Sequence, residues 1–118
     1  MQINGHELKF SMTNAYTASQ FEKALTAMQQ AAQELENSPP QSLADGIRRQ
    51  IQSAEDFIVC IFGDSVTLES LDCDTNELMD CLDVVEQVID EANAQKEKLD
   101  RRFARYAPNR AQRRAARR

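Results

Sequence analysis

Breaker residues are scarce in this 118-residue chain, which has only three glycines and three prolines. Residues 64–107 contain neither type. Because glycine and proline mark most turns, a chain so poor in both favours long helices over a fold of many short strands. Hydrophobic residues make up 42% of the chain, enough for a folded core. We therefore expect a mainly α-helical domain.

Two segments in the first half of the chain have apolar residues at three- and four-residue steps. Helix 1 is predicted to begin near Thr17, a suitable N-cap, and to end before Pro39 and Pro40, which cannot donate backbone hydrogen bonds. Helix 2 is predicted to begin at Ser42 and to end at Gly63, which tolerates a left-handed backbone. The residues expected on the buried side of helix 2 are Leu43, Ile47, Ile51, Ala54, Phe57, Ile58, Ile61 and Phe62.

The longest predicted helix, helix 3, follows a short turn or helix. Asp74 is its expected cap, and Glu77 completes a capping box. The apolar period continues through Leu99 and Phe103 without a glycine or proline, so about 30 residues form a rod of roughly 45 Å. Because the residues after Ala94 are mostly polar, we expect the second half of this helix to project beyond the core.

The N-terminal segment predicts a β-hairpin over residues 2–12. The Asn4-Gly5 pair suits a two-residue turn in which both positions take positive φ. The hairpin is too small to be stable alone, so Ile3, Leu8 and Phe10 are expected to pack on the helices. The predicted fold is a short N-terminal β-hairpin packed on a three- to four-helix domain over residues 1–107. It has a long C-terminal helix, and a basic tail follows over residues 108–118.

The net charge of −5 conceals two parts of opposite sign. Residues 1–95 carry −13 and residues 96–118 carry +8. Between Arg49 and Lys96 the chain has no lysine or arginine, while twelve acidic residues fall there. Such asymmetry is typical of an interaction tail beside a body of opposite charge.

The basic tail predicts an arginine stripe if the tail is helical. The residues of this stripe are Arg110, Arg113, Arg114 and Arg117. We expect the tail to dock on an acidic protein surface, and the nearest candidate is one side of helix 3 in the same or a neighbouring copy. The acidic residues on that side are Asp80, Asp83, Glu86 and Asp90. A solvated, solubilising tail is the second interpretation.

Nucleic-acid binding is a third interpretation of the tail, since arginine clusters neutralise phosphates. Against it, Tyr106 is the aromatic residue nearest the tail, no aromatic residues alternate with the arginines, and the acidic body would repel a duplex. We therefore rank nucleic acid below a protein partner.

Residues that could carry enzyme chemistry are few. An active site needs a nucleophile, an acid–base pair, a metal or a phosphate cradle. The chain has one histidine, His6, in the predicted hairpin turn, and it has no glycine-rich loop. Residues 72–76 have the spacing that begins a calcium loop, but Glu77 stands where that loop needs glycine. We expect no catalytic residues, no metal and no cofactor.

Signals for export or membrane insertion are not apparent in the sequence. Residues 1–5 lack a basic n-region, and the longest dense apolar run, residues 57–62, is far shorter than the roughly 20 residues that a membrane span needs. The three cysteines, Cys60, Cys73 and Cys81, include no C-x-x-C pair, so we expect reduced, buried thiols. These features predict a cytoplasmic protein without a membrane partner.

Four segments resemble small proteins encoded in the tail gene clusters of siphophages and prophages. They are residues 3–10 (INGHELKF), 57–64 (FIVCIFGD), 93–96 (NAQK) and 106–115 (YAPNRAQRRA). The ending N-R-A-Q-R-R-A is similar to that of phage tail assembly chaperones and related tail proteins.

The resemblance implies a tail assembly chaperone in the host cytoplasm. Such proteins bind the long, hydrophobic, coiled-coil-prone tape-measure protein and help to recruit tail-tube subunits, and the resemblance carries over no catalytic residue. Further copies of this chain are additional candidate partners. Two alternatives stay open: a minor tail or connector subunit of the virion, and a small nucleic-acid-binding regulator.

Overall fold

The computed structural model describes residues 1–106, and the predicted basic tail lies outside this range. The described residues form a two-stranded antiparallel hairpin, three α-helices and one 3₁₀ turn. Their bounds are β1 (Gln2–Ile3), β2 (His6–Glu7), α1 (Ala15–Asn37), α2 (Leu43–Phe62), the 3₁₀ turn (Glu69–Leu71) and α3 (Leu78–Tyr106). The prediction of a mainly helical fold with a short N-terminal hairpin and a long last helix is confirmed.

The N-cap of helix α1 lies three residues earlier than the sequence predicted. The Asn14 side chain caps it by accepting hydrogen bonds from the backbone N–H groups of Tyr16 and Thr17, at 3.0 and 3.1 Å. The predicted cap at Thr17 is therefore wrong, because an earlier acceptor already satisfies those free donors. The helix ends at Asn37, before the two prolines, as predicted.

Both predicted ends of α2 are confirmed. The Ser42 hydroxyl accepts a hydrogen bond from the Asp45 N–H at 3.1 Å, and Gly63 follows the helix with φ of 96°. The buried side is correct for the second half of the helix, where Ala54, Phe57, Ile58 and Ile61 are buried. It is wrong for Leu43, which is 82% exposed because the other described elements do not cover the first turn of α2.

Helix α3 begins later than predicted. The Asp74 carboxylate accepts from the Asn76 N–H at 2.9 Å in a turn before the helix. The Glu77 carboxylate accepts from the Met79 N–H at 3.2 Å and so caps the N-terminus of the helix. The predicted cap at Asp74 is therefore wrong. The buried residues of α3 are Cys81, Val84, Val85, Val88 and Ala92.

Helices α1 and α2 form an antiparallel pair, and α3 packs on α2. Phe21 near the start of α1 packs edge-on against Phe57 in the second half of α2, with ring centroids 6.2 Å apart. Leu82 in the first turns of α3 lines a groove together with Gln50 and Ala54 of α2. The far end of α2 and Gln95 of α3 meet at the same N-terminal segment, so α3 runs in the same direction as α2.

The N-terminal segment joins the hairpin to all three helices. Its turn at Asn4 and Gly5 has φ of 51° and 84°, the two positive values that the sequence predicted. The strands end at Glu7, so the predicted extent to residue 12 is wrong. Phe10 and Met12 lie after the hairpin and are buried among the helices. Burial of their side chains in the core stabilises the fold more than exposed positions on an edge strand would.

Substitutions in α2 provide a stability test of this packing. Phe57 is 1% exposed, so Phe57→Ala should lower the free energy of unfolding by about 3–5 kcal/mol through lost burial and a residual cavity. Phe62 is only partly buried against the core, so Phe62→Ala should cost less, about 1–3 kcal/mol. Urea denaturation measures both, and a larger loss for Phe62 would mean that the register of α2 is wrong.

Candidate partner-binding surface

The predicted acidic side of helix 3 is present on α3. Asp80, Asp83, Glu86 and Asp90 are all exposed, and they lie opposite the buried face that contains Cys81. At about 100° per residue, the last three lie within about 60° around the helix axis, with Asp80 at one edge of the stripe. None of the four forms an ion pair within residues 1–106. The tail arginines predicted to bind this stripe lie outside the described residues, so that pairing stays a prediction.

The C-terminal part of α3 projects beyond the body, as predicted. Gln95 makes the last described polar contacts with the body: it accepts from the Met12 N–H at 2.7 Å and donates to the Phe10 carbonyl oxygen at 3.0 Å. We call residues 96–106 the projecting end. It carries five basic and two acidic side chains, a net charge of +3.

The projecting end carries an apolar stripe that is largely exposed within the described structure. Leu99 is half-buried, whereas Phe103 is 58% and Tyr106 71% exposed. At 3.6 residues per turn they continue the face on which Val88 and Ala92 are buried. The sequence prediction placed Leu99 and Phe103 in the apolar period of a projecting helix but did not identify them as a candidate binding surface. The seven-residue spacing of Val85, Ala92, Leu99 and Tyr106 marks one continuous apolar face but does not show which part of that face is covered.

A second apolar surface lies where α1 and α3 diverge above α2. It is a groove of about 280 Å³ with small side chains at its floor. We call it the apolar groove, and its main lining residues are Met28, Ala32, Leu35, Ser53, Ala54 and Leu82. Glu86, which is exposed, lies one helical turn after Leu82 and makes the α3 rim acidic, whereas Asp83 lines a separate groove with Asn4. The sequence prediction missed this groove, because the groove depends on the distance between α1 and α3.

Other grooves on the described residues contain charged side chains. The groove on the other side of the α1–α2 pair is lined in part by Glu34, Arg49 and Asp56. The groove at the start of α2 is lined in part by Arg48 and Glu55. The apolar groove has no charged lining residue, which makes it better suited to an apolar helix face.

The two buried thiols are close together but poorly reactive. The sulfur atoms of Cys73 and Cys81 lie 3.7 Å apart. Burial raises the pKa of Cys73 to about 12, and burial also raises the pKa of Cys81. Since the thiolate is the nucleophile and the metal ligand, these protonated thiols are unsuited to either role. Within residues 1–106, no three His, Cys, Asp or Glu side chains form a group that could hold a metal ion.

The one histidine takes part in a surface contact. The His6 Nε2 lies 2.8 Å from an Asp72 carboxylate oxygen, and both side chains are substantially exposed. The Asn4 side chain donates to the Leu71 carbonyl oxygen at 2.8 Å beside it. Together these contacts fix the hairpin turn to the loop that precedes α3.

Comparison with known proteins assigns the chain to a family. The matching family model covers residues 4–117 and is described as a family of unknown function, DUF6673. The chain belongs to this family. No curated protein and no solved structure matched the chain. In the described part of the chain, no helix is long and apolar enough to cross a membrane.

The buried thiols make stability depend on pH in a defined direction. The folded-state pKa of Cys73 lies above the ordinary value of 9.0, so its stabilisation is complete below pH 9 and is lost as pH rises toward 12. Between pH 8.5 and 10, the wild type should lose about 1 kcal/mol more unfolding free energy than Cys73→Ala. Urea denaturation at both pH values measures this difference.

A matched control separates titration from lost packing. Val84 is buried like Cys73, at 2% against 8% exposure, but has no ionisable group, so Val84→Ala should lower stability equally at both pH values. If Cys73→Ala keeps the full pH dependence of the wild type, the Cys73 thiol does not contribute to it.

Proposed function

We propose that this protein is a tail assembly chaperone-like protein of a siphophage or prophage. It acts in the host cytoplasm by protein–protein contacts, not as an enzyme, and its partners are the tape-measure and tail-tube proteins. The proposal starts from the four segments that resemble small phage tail proteins. The main structural observation in its support is the apolar stripe on the projecting end of α3, where Phe103 and Tyr106 are exposed.

The spacing of this stripe suits a helical client. Leu99, Phe103 and Tyr106 follow one another at steps of four and three residues, the spacing at which two helices keep one seam in contact. The resemblance implies a client that is itself long, hydrophobic and prone to form coiled coils. A free helix face supported by a folded body can cover part of such a client before the client finds its final partners.

The charges around the stripe also support transient binding of a client. The projecting end is basic, while residues 50–95 carry twelve acidic and no basic side chains. A body of high like charge keeps loaded complexes apart and soluble. Basic side chains beside an apolar stripe favour acidic helical partners and speed their approach.

One observation favours nucleic acid as a second candidate partner. Phe103 and Tyr106 are exposed between Arg101, Arg102 and Arg105, and aromatic residues beside arginines can stack on unpaired bases. The acidic body opposes such binding. A steep salt dependence of single-stranded DNA binding, lost in Phe103→Glu, would favour this candidate over the chaperone.

Capture of tail proteins tests the proposed function. The full chain, co-expressed with the tape-measure and tail-tube proteins of the same phage or prophage, should retain one or both on affinity purification. Phe103→Glu should weaken capture at least tenfold, because it places a charge in the apolar stripe. Ala104→Glu adds the same charge on the opposite, exposed face of α3 and should capture as the wild type does.

Two results would contradict the proposed function. Failure of the wild type to retain either tail protein, with the chain folded, would remove the client on which it depends. Finding the protein in stoichiometric amounts in purified virions would instead support a minor tail or connector subunit.

A further inference from the structure

The projecting end of α3 is too far from the apolar groove of its own chain to reach it. Leu82 in the groove and Phe103 in the stripe belong to one continuous helix. About twenty residues separate them, which corresponds to roughly 30 Å along the helix axis. A helix without glycine or proline does not fold back on itself, so anything that joins these two surfaces must join two molecules.

Charge decides which surface of a second molecule the projecting end would contact. Two projecting ends packed together would each bring a net charge of +3 to one short seam, and like charges disfavour that pairing. Glu86 lies one helical turn after the groove residue Leu82, and the surrounding body region has no lysine or arginine from residue 50 to 95. The basic end and the acidic rim are therefore complementary, whereas the two ends are not.

The groove also has the shape that a helix with large side chains requires. Ala32, Ser53 and Ala54 leave space between α1 and α3, while Met28 and Leu82 supply apolar walls. Leu99 and Phe103 lie one helical turn apart and could occupy this space together. A fourth helix placed there would complete a bundle that three helices leave open.

We propose that the projecting end of α3 docks in the apolar groove of a second copy of this chain. Each copy offers one end and one groove, so the contact is heterologous, and successive copies form an open chain or a closed ring. The three apolar side chains of the projecting end, Leu99, Phe103 and Tyr106, would bury only a small area, roughly that of weak, transient interfaces. The association therefore depends on protein concentration and weakens as salt screens the acidic rim.

Two single substitutions test the two halves of the contact in the full-length protein. Phe103→Glu disables the end, and Ala32→Arg places a bulky basic side chain in the groove. Both positions are exposed in the single copy, so both variants should fold, as circular dichroism and thermal melting can verify. Matched controls are Ala104→Glu and Gln33→Arg, which add the same charges on the outer faces of α3 and α1.

Sedimentation velocity over a concentration series gives the readout. The wild type and both controls should shift from monomer to larger species as concentration rises, whereas each test variant alone should stay monomeric. An equimolar mixture of Phe103→Glu and Ala32→Arg should form a 1:1 dimer and nothing larger. The intact end of the second variant fits the intact groove of the first, and no further site remains.

Three results would overturn the proposal. One is a wild type that stays monomeric at the highest concentration reached. Another is self-association that survives Ala32→Arg. The third is a mixture of the two variants that stays monomeric although each is folded. The experiment contains no tail protein, so its outcome does not depend on the proposed function and failure of one leaves the other standing.

Discussion

The burial of Phe10 between the helices is the contact on which the arrangement of the molecule depends. Its ring lies 6.2 Å from that of Phe21 in α1 and 5.8 Å from that of Phe62 in α2, and its carbonyl oxygen accepts from Gln95 in α3. Helices α1 and α3 make little direct contact with each other. The N-terminal segment therefore supplies the apolar volume that joins them, and the hairpin before it anchors that segment through the fully buried Ile3.

Both candidate surfaces follow from the limited length of this N-terminal segment. It fills the gap between α1 and α3 only at the end where Gln95 lies, and the remaining gap near Leu82 is the apolar groove. Past Gln95 the apolar face of α3 continues, and within the described residues it becomes exposed at Phe103 and Tyr106. One helix thus presents the same face as core in its first half and as free surface in its second. The free half of α3 is thereby held in a fixed direction, because the buried half orients it.

Local signals in the sequence predicted the helices and the hairpin turn, but not what covers each surface. Ser42 and Gly63 bound α2 as expected because caps depend on a few neighbouring backbone groups. Thr17 and Asp74 are not the caps that the sequence suggested, because Asn14 and Glu77 offer competing acceptors closer to the helix start. Periodicity identified the apolar faces of α2 and α3 correctly, and yet their outer turns are exposed. A period shows which face is apolar and carries no information on whether another element reaches it. The apolar groove depends on the distance between α1 and α3, which no local pattern encodes.

The separation of charge along the chain favours one orientation in which these two surfaces can meet a partner. Residues 1–95 carry −13, so bodies approaching each other at random repel. The projecting end, at +3, is the described region at which a negatively charged body or an acidic helix meets attraction in place of repulsion. Because the end extends along the helix axis away from the body, this attraction acts at one place and in one orientation. Apolar contact at Leu99 and Phe103 then adds short-range affinity to an encounter that charge has already oriented. Charge and shape together favour a partner that is helical, acidic at its rim and apolar at its centre, and both a second copy of this chain and an amphipathic helical client fit that description.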